Sequence, residues 1–362
     1  MKDLKYLLAY TVPLSAYVSF ESTGVWTYSA VFYAFIVLPV LDVIAGESAT
    51  NLDSETAEEK NRMWMFDLML YANVPLVFGL MAFFFFQLES HTYATFELVG
   101  LLLSAGILLA TNAINVAHEL GHRASLPERL MSKLLYMPCL YMHFFIEHNY
   151  GHHLRVATPE DPASARFGET FWEFLPRSVF GSLRSAWELE AKRLERAGKS
   201  KWHPSNDVLN AWAMSVLLYG VLIAVFGWAL IPYILISAVF GFTLLETVNY
   251  LEHYGLMRQK MDSGRYERCA PVHSWNSDHI VTNLFLYHLQ RHSDHHANPT
   301  RRYQTLRSMD GAPNLPSGYA SMIALTYFPP LWRKVMDHRV LEHYDGDITR
   351  VNIHPRVRDK VL

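Results

Sequence analysis

Long apolar segments alternate with charged ones along this chain. Six stretches are apolar over enough residues to cross a hydrocarbon layer of roughly 30 Å, which takes about 20 residues of helix. They cover residues 4–20, 24–45, 67–86, 97–118, 209–228 and 229–252. The first is the shortest and contains Pro13. The pattern predicts an all-α protein, a six-transmembrane-helix bundle in which residues 1–362 form a single domain.

Positive charges are unevenly divided among the segments outside these helices. The turns at 21–23 and 87–96 contain no Lys or Arg, whereas the segments 119–208 and 253–362 contain many. Because cytoplasmic loops of membrane proteins are enriched in Lys and Arg, we expect both termini and these two segments in the cytoplasm. There they would form a helical cap on the bundle.

Composition adds two limits to this picture. Hydrophobic residues make up 51% and aromatic residues 14% of the chain, both high for a soluble protein. The net charge of −3 argues against nucleic acid as a partner. Cys139 and Cys269 have no metal-binding spacing, so any metal must be held by other side chains.

Eight of the 18 histidines fall into three short boxes. The boxes are His118 and His122; His148, His152 and His153; and His292, His295 and His296. Residues four apart share one face of a helix, so the second box is expected to direct three imidazoles at one point. The third box is expected on a single helix over 279–296. A ninth candidate ligand, His253, follows the sixth predicted membrane helix as His118 follows the fourth.

The number of candidate ligands distinguishes between the possible kinds of metal site. His118-Glu119-Leu-Gly-His122 matches the zinc-protease pattern, in which Glu119 would be the general base. A catalytic zinc takes only three protein ligands, so six or seven histidines would be left over. The surplus favours two metals, each bound by about four imidazoles with an open face. Such sites suit iron that activates dioxygen, although the ligand types alone leave zinc and copper open.

Carboxylates near the boxes are candidates for orienting the ligands. Ligating histidines usually donate their second ring nitrogen to a carboxylate or a carbonyl. The candidates are Glu119, Glu147, Asp161, Glu252, Asp278 and Asp294. Four more histidines lie near the boxes but break their spacing, and we assign them structural or supporting roles: His143, His273, His279 and His288.

The fourth predicted membrane helix is rich in small residues, among them Gly100, Ser104, Ala110 and Thr111. Small residues let transmembrane helices approach closely, and they could equally leave room for a slender ligand above the metals. Together with Phe35 and Leu38 of the second helix, these four are the candidate lining of a narrow apolar substrate channel.

The order and spacing of the boxes resemble those of the integral-membrane histidine-box diiron enzymes, which include desaturases and hydrocarbon monooxygenases. Within that family, residues 112–123, 147–166, 249–256 and 289–296 resemble the motifs of the alkane 1-monooxygenases. The resemblance implies that the nine histidines bind two irons, and that a medium-chain n-alkane and dioxygen yield the primary alcohol. It also implies electrons from a rubredoxin, reduced in turn by an NADH-dependent rubredoxin reductase. The implied location is the bacterial inner membrane, with the active site on its cytoplasmic side.

Two alternatives remain open. A fatty-acyl desaturase or hydroxylase of the same family would anchor a head group, yet no Lys or Arg lies in the second to sixth predicted spans. A membrane metal transporter would bind its ion near the bilayer midplane, whereas these histidines lie at helix ends.

Overall fold

The computed structural model describes residues 2–361, in which helices and irregular segments occur without any β-strand. Five of its helices are long and apolar enough to cross a membrane. They are α2 (Gly24–Ala45), α4 (Trp64–Ser90), α5 (Thr95–Gly121), α9 (Asp207–Phe226) and α10 (Trp228–His253). All five overlap predicted spans, which confirms the all-α class.

The first predicted span, 4–20, is not among these five helices. Its first half forms a 3-10 helix over Lys2–Tyr10, and only α1 (Thr11–Glu21) is α-helical. Lys5 interrupts its apolar sequence, and the charged residues Asp3 and Glu21 flank it. The segment nevertheless packs inside the bundle, where Gln87 of α4 donates to the carbonyl oxygen of Phe20 at 3.0 Å.

Apolar side chains cover much of the outer surface of the bundle. Val43 of α2 is 77% exposed and Val216 of α9 is 72% exposed. Contiguous apolar surface of this kind marks contact with a membrane or a partner. Long helices with exposed apolar faces fit into a hydrocarbon layer. The bundle is therefore that of a membrane protein.

Apart from α1, the remaining α-helices of more than three residues lie between the long ones or follow the last of them. They are α3 (Ser54–Arg62), α6 (Leu126–Tyr136), α7 (His143–Glu147), α8 (Phe171–Arg196), α11 (Ile280–Phe285), α12 (His292–Ala297), α13 (Tyr319–Thr326), α14 (Pro329–His343) and α15 (Pro355–Val361). The single helix predicted over 279–296 is wrong, because the chain breaks between α11 and α12. There Tyr287 and His288 adopt positive φ values of 52° and 57°, which end a helix.

The α6–α7 hairpin enters the bundle and turns back. Ser215 of α9 donates to the carbonyl oxygen of Met137 at 3.0 Å, and Tyr141 donates to Glu246 of α10 at 2.8 Å. Ser215 lies eight residues into α9, which corresponds to roughly 12 Å of helix. Irregular backbone at such depth is tolerated where protein surrounds it. The hairpin thus delivers the second histidine box from inside the bundle.

Candidate metal centre and apolar cavity

The nine candidate histidines meet in two groups at the ends of α5 and α10. Four ligand nitrogens lie within 4.8 Å of one another in each group. The first histidine group contains His118, His122, His148 and His295, and the second contains His152, His253, His292 and His296. His153 adjoins the first group, because its Nε2 lies 3.0 Å from Nε2 of His148 and 3.1 Å from Nε2 of His295. We count it as the fifth member of the first group.

The second histidine box is divided between the two groups because its backbone is not α-helical. Residues His148–His152 form a π-helical segment, in which hydrogen bonds join residues five apart. His148 and His153 therefore face the same group. His152 turns to the second group, where its Nε2 lies 3.3 Å from that of His296. The expectation that all three imidazoles of this box converge on one point is wrong.

The spacing of the ring nitrogens fits metal ligands. Nε2 of His148 lies 2.8 Å from that of His118, 3.1 Å from that of His122 and 3.0 Å from that of His153. A neutral imidazole carries one N–H, so hydrogen bonds cannot account for three such contacts at one nitrogen. Imidazole nitrogens lie about 2.0–2.1 Å from a metal such as zinc, and two ligands of one metal are therefore roughly 3 Å apart. Each group could hold a metal ion.

Burial favours the protonation state that a ligand needs. His148 and His295 are buried, and loss of solvation together with the neighbouring imidazoles holds their pKa values well below the ordinary range. Both rings are consequently neutral near pH 7, with a nitrogen lone pair free to bind a metal.

Two of the six predicted carboxylates contact these histidines. Asp161 accepts a hydrogen bond from Nδ1 of His152 at 2.9 Å. Burial opposes the ionisation of Asp161, but His152 and the hydroxyl of Ser164 outweigh it and lower its pKa to about 2. Oε2 of Glu252 lies 3.1 Å from Nε2 of His292. Both carboxylates serve the second group.

The other four carboxylates bind partners away from the imidazoles. Glu147 pairs with Arg155 at 2.6 Å, Glu119 with Arg123 at 2.7 Å, Asp294 with Arg307 at 2.8 Å, and Asp278 with Ser308 at 2.8 Å. The four extra histidines also have contacts outside the two groups. His143 packs against Tyr141, His273 lies 3.2 Å from Glu267, His279 2.9 Å from Ser277, and His288 3.1 Å from Tyr6.

An apolar cavity between the helices ends at both histidine groups. His118 and His148 of the first group and His292 of the second line it, beside Glu252. The cavity encloses about 950 Å³ of space that no atom fills, part of it open to the outside. Its other walls come from α1, α2, α5, α7, α10, α11, the segment that follows α11, and α13, and Thr111, Asn115, Asn249 and Thr282 are their polar members.

Four of the six predicted channel residues line this cavity: Phe35, Leu38, Ala110 and Thr111. Three of them lie in the π segments Tyr33–Val37 and Leu109–Ile114. Gly100 and Ser104 do not line this cavity. A Cβ at Gly100 would lie 2.4 Å from Oγ1 of Thr27, and the Ser104 hydroxyl lies 3.0 Å from that of Ser19. These two small residues let α5 pack closely against its neighbours.

Comparison with known proteins places this arrangement in context. A family model described as fatty acid desaturase matches residues 94–326. The chain is 48% identical to an alkane 1-monooxygenase of Acinetobacter baylyi, over 90% of this chain and 80% of the relative. It is 41% identical to an alkane 1-monooxygenase of Pseudomonas putida, over 94% of this chain and 87% of the relative. Alkane 1-monooxygenase 1 of Alcanivorax borkumensis is 40% identical, over 94% and 84% of the two chains.

Proposed function

Because this chain belongs to the alkane 1-monooxygenases, we propose that it hydroxylates the terminal carbon of medium-chain n-alkanes at two irons held by its nine clustered histidines. We infer the activity from that of the relatives, and we assign the metal identity and the ligand roles ourselves. The observation that carries it is a single apolar cavity that ends at both histidine groups.

The cavity supports an alkane substrate by its composition. Among the described residues, no Lys or Arg lines it, so a fatty acid would find no cation for its carboxylate. An alkane has no polar group to bind, and shape is the remaining means of control. A chain that enters end first would present its terminal methyl group to the histidine groups. Positioning of this kind can outweigh the modest preference for weaker internal C–H bonds.

The residues around the groups would hold the metals and keep water away. Five imidazoles would bind one iron and four the other, and irons in such sites supply dioxygen activation when bound. Seven of the nine rings are buried. Asp161 fixes the orientation of the His152 ring through its Nδ1 hydrogen. Phe144 lines the cavity and packs against the ring of His148, with ring centroids 4.9 Å apart.

An electron from a donor at the protein surface would have a shorter route to the first histidine group than to the second. His122 and His153 are the two partly exposed members of the nine, and Leu154 beside them is 73% exposed. Arg129 is near, within 3.1 Å of the Tyr150 hydroxyl. We assign this face to a rubredoxin, itself reduced through an NADH-dependent reductase. Rubredoxins are expected to be acidic, so complementary charge should speed the encounter.

The bundle would lie in a bacterial inner membrane as one domain of 362 residues with six membrane helices. The first segment qualifies as the sixth because Leu7 and Leu14 are about half exposed on its outer face. Its inner face packs on α5 through Ser19. With Lys and Arg concentrated in 119–208 and 253–362, the histidine end of the bundle would face the cytoplasm.

The test is the product distribution. Purified protein supplied with octane, dioxygen, rubredoxin, its reductase and NADH should yield predominantly 1-octanol by gas chromatography. Octanoic acid serves as the control and should not be turned over. Mainly 2- or 3-octanol would contradict end-first binding. Alkene formation, or fatty-acid turnover without alkane oxidation, would favour the desaturase-type alternative.

A further inference from the structure

We propose that Glu252 is itself a metal ligand, through Oε2, and that the two metals therefore have different ligand sets. One would be bound by five imidazoles, the other by four imidazoles and one carboxylate. This assignment rests on the proposed function and deepens it, because sequence reasoning gives Glu252 only a supporting role.

The position of Oε2 carries the inference. It lies 3.1 Å from Nε2 of His292, the nitrogen that also lies 2.9 Å from Nε2 of His296 and 3.3 Å from Nε2 of His253. A carboxylate that only oriented His292 would instead contact its Nδ1, as Asp161 does for His152. Oε2 thus lies beside the His292 nitrogen that faces the other rings of the second group, and its distance from that nitrogen is the spacing of two ligands that share one metal.

Tyr319 holds the carboxylate in this orientation. Its hydroxyl donates to Oε1 of Glu252 at 2.7 Å, and both side chains are buried. One oxygen is therefore occupied by a hydrogen bond, and the other is left for the metal. The backbone N–H of Tyr319 donates to Gln290 at 2.7 Å, which fixes α13 beside the third box. Tyr319 is a positioning residue for Glu252.

The distribution of negative charge supports two unequal sites. In the described part of the chain, Asp161 and Glu252 are the carboxylates within 4.0 Å of a ring nitrogen of the nine histidines. Both act on the second group. A divalent metal among neutral imidazoles is an uncompensated buried charge, and an anionic ligand offsets part of it. The second metal would accordingly be the more electron-rich of the two.

The test compares Glu252→Gln with a matched control, Glu246→Gln. Glu246 lies on the same helix, is fully buried and accepts from a tyrosine hydroxyl, that of Tyr141, at 2.8 Å. It contacts none of the nine histidines. The full-length holoenzymes are loaded with ⁵⁷Fe, reduced, and examined by Mössbauer spectroscopy and metal analysis.

Wild-type protein should show two doublets of equal area. Glu252→Gln should alter one doublet, leave the other unchanged, and weaken iron binding at one site by at least the roughly 10- to 100-fold that loss of a ligand's hydrogen-bond partner costs. Glu246→Gln should leave both doublets unchanged. Two irons and two unaltered doublets in Glu252→Gln would overturn the assignment of Glu252 as a metal ligand but not the proposed function. Wild-type protein without iron would overturn the proposed function as well.

A second variant keeps the assignment testable if Glu252→Gln does not fold. Tyr319→Phe retains the carboxylate and removes only its hydrogen-bond donor. It should change the splitting of the same single doublet by a smaller amount. An unchanged Tyr319→Phe spectrum would overturn the assignment.

Discussion

Loss of the Asp161 carboxylate should weaken metal binding at the second histidine group only. Asp161 Oδ2 accepts from Nδ1 of His152 at 2.9 Å and from the hydroxyl of Ser164 at 2.6 Å. Removal of such a partner typically costs 10–100-fold in metal affinity, or about 1.4–2.8 kcal/mol at 1.4 kcal/mol per factor of ten. Asp161→Asn can keep the hydrogen bonds from His152 and Ser164 through its amide oxygen, but it loses the charge and the oxygen that accepts from the Ala163 N–H at 3.2 Å, so we expect about 10-fold. Asp161→Ala loses all of these contacts, and we expect about 100-fold.

The assay is competition with a chelator, followed by the iron retained per chain. In both variants one iron should be lost at lower chelator concentration while the other is retained as in wild type. Asp278→Asn is the control, because Asp278 is also a predicted carboxylate but binds Ser308 and no member of the nine. Equal iron retention by Asp161→Ala and wild type would refute the role of Asp161. Simultaneous loss of both irons would refute two separate groups.

Three further predictions test the cavity and the electron donor. Gly100→Ala should lower the melting temperature, because a Cβ there would crowd Thr27 and Tyr28 at a cost of about 1–3 kcal/mol. A change in product profile without lower stability would contradict the role of Gly100 in helix packing. Ala110→Leu should narrow the cavity and shift the preferred alkane to shorter chains, and an unaltered chain-length profile would remove this position from the wall. Turnover with rubredoxin should fall as ionic strength rises, and salt-independent rates would argue against a charged docking face.

The sequence predicts the structure well where the whole pattern lies within a single helix. Hydropathy places α2, α4, α5, α9 and α10 within a few residues, because a long apolar helix is specified by its own composition. The first segment is harder, since its α-helical part covers only Thr11–Glu21 and its position depends on the neighbours against which it packs. Histidine spacing identifies eight of the nine rings that the fold brings together, because each box lies on one local element, and the ninth, His253, is identified by its place at the end of a predicted membrane helix.

The division of those rings between two groups is not accessible from spacing. It depends on the π segment at His148–His152, which rotates His152 away from His148 and His153. Likewise, proximity in sequence does not tell which carboxylates face the imidazoles. Asp294 lies between two candidate ligands along the chain, yet it pairs with Arg307. Asp161, eight residues from the nearest box, reaches His152 because the loop after the box folds back.

The iron content of the purified protein tests the central claim most directly. Two histidine groups with five and four imidazoles predict close to two irons per chain by elemental analysis, in protein that hydroxylates octane. One iron per chain at full activity would contradict two metal sites. An active enzyme that contains zinc and no iron would contradict the proposed chemistry altogether.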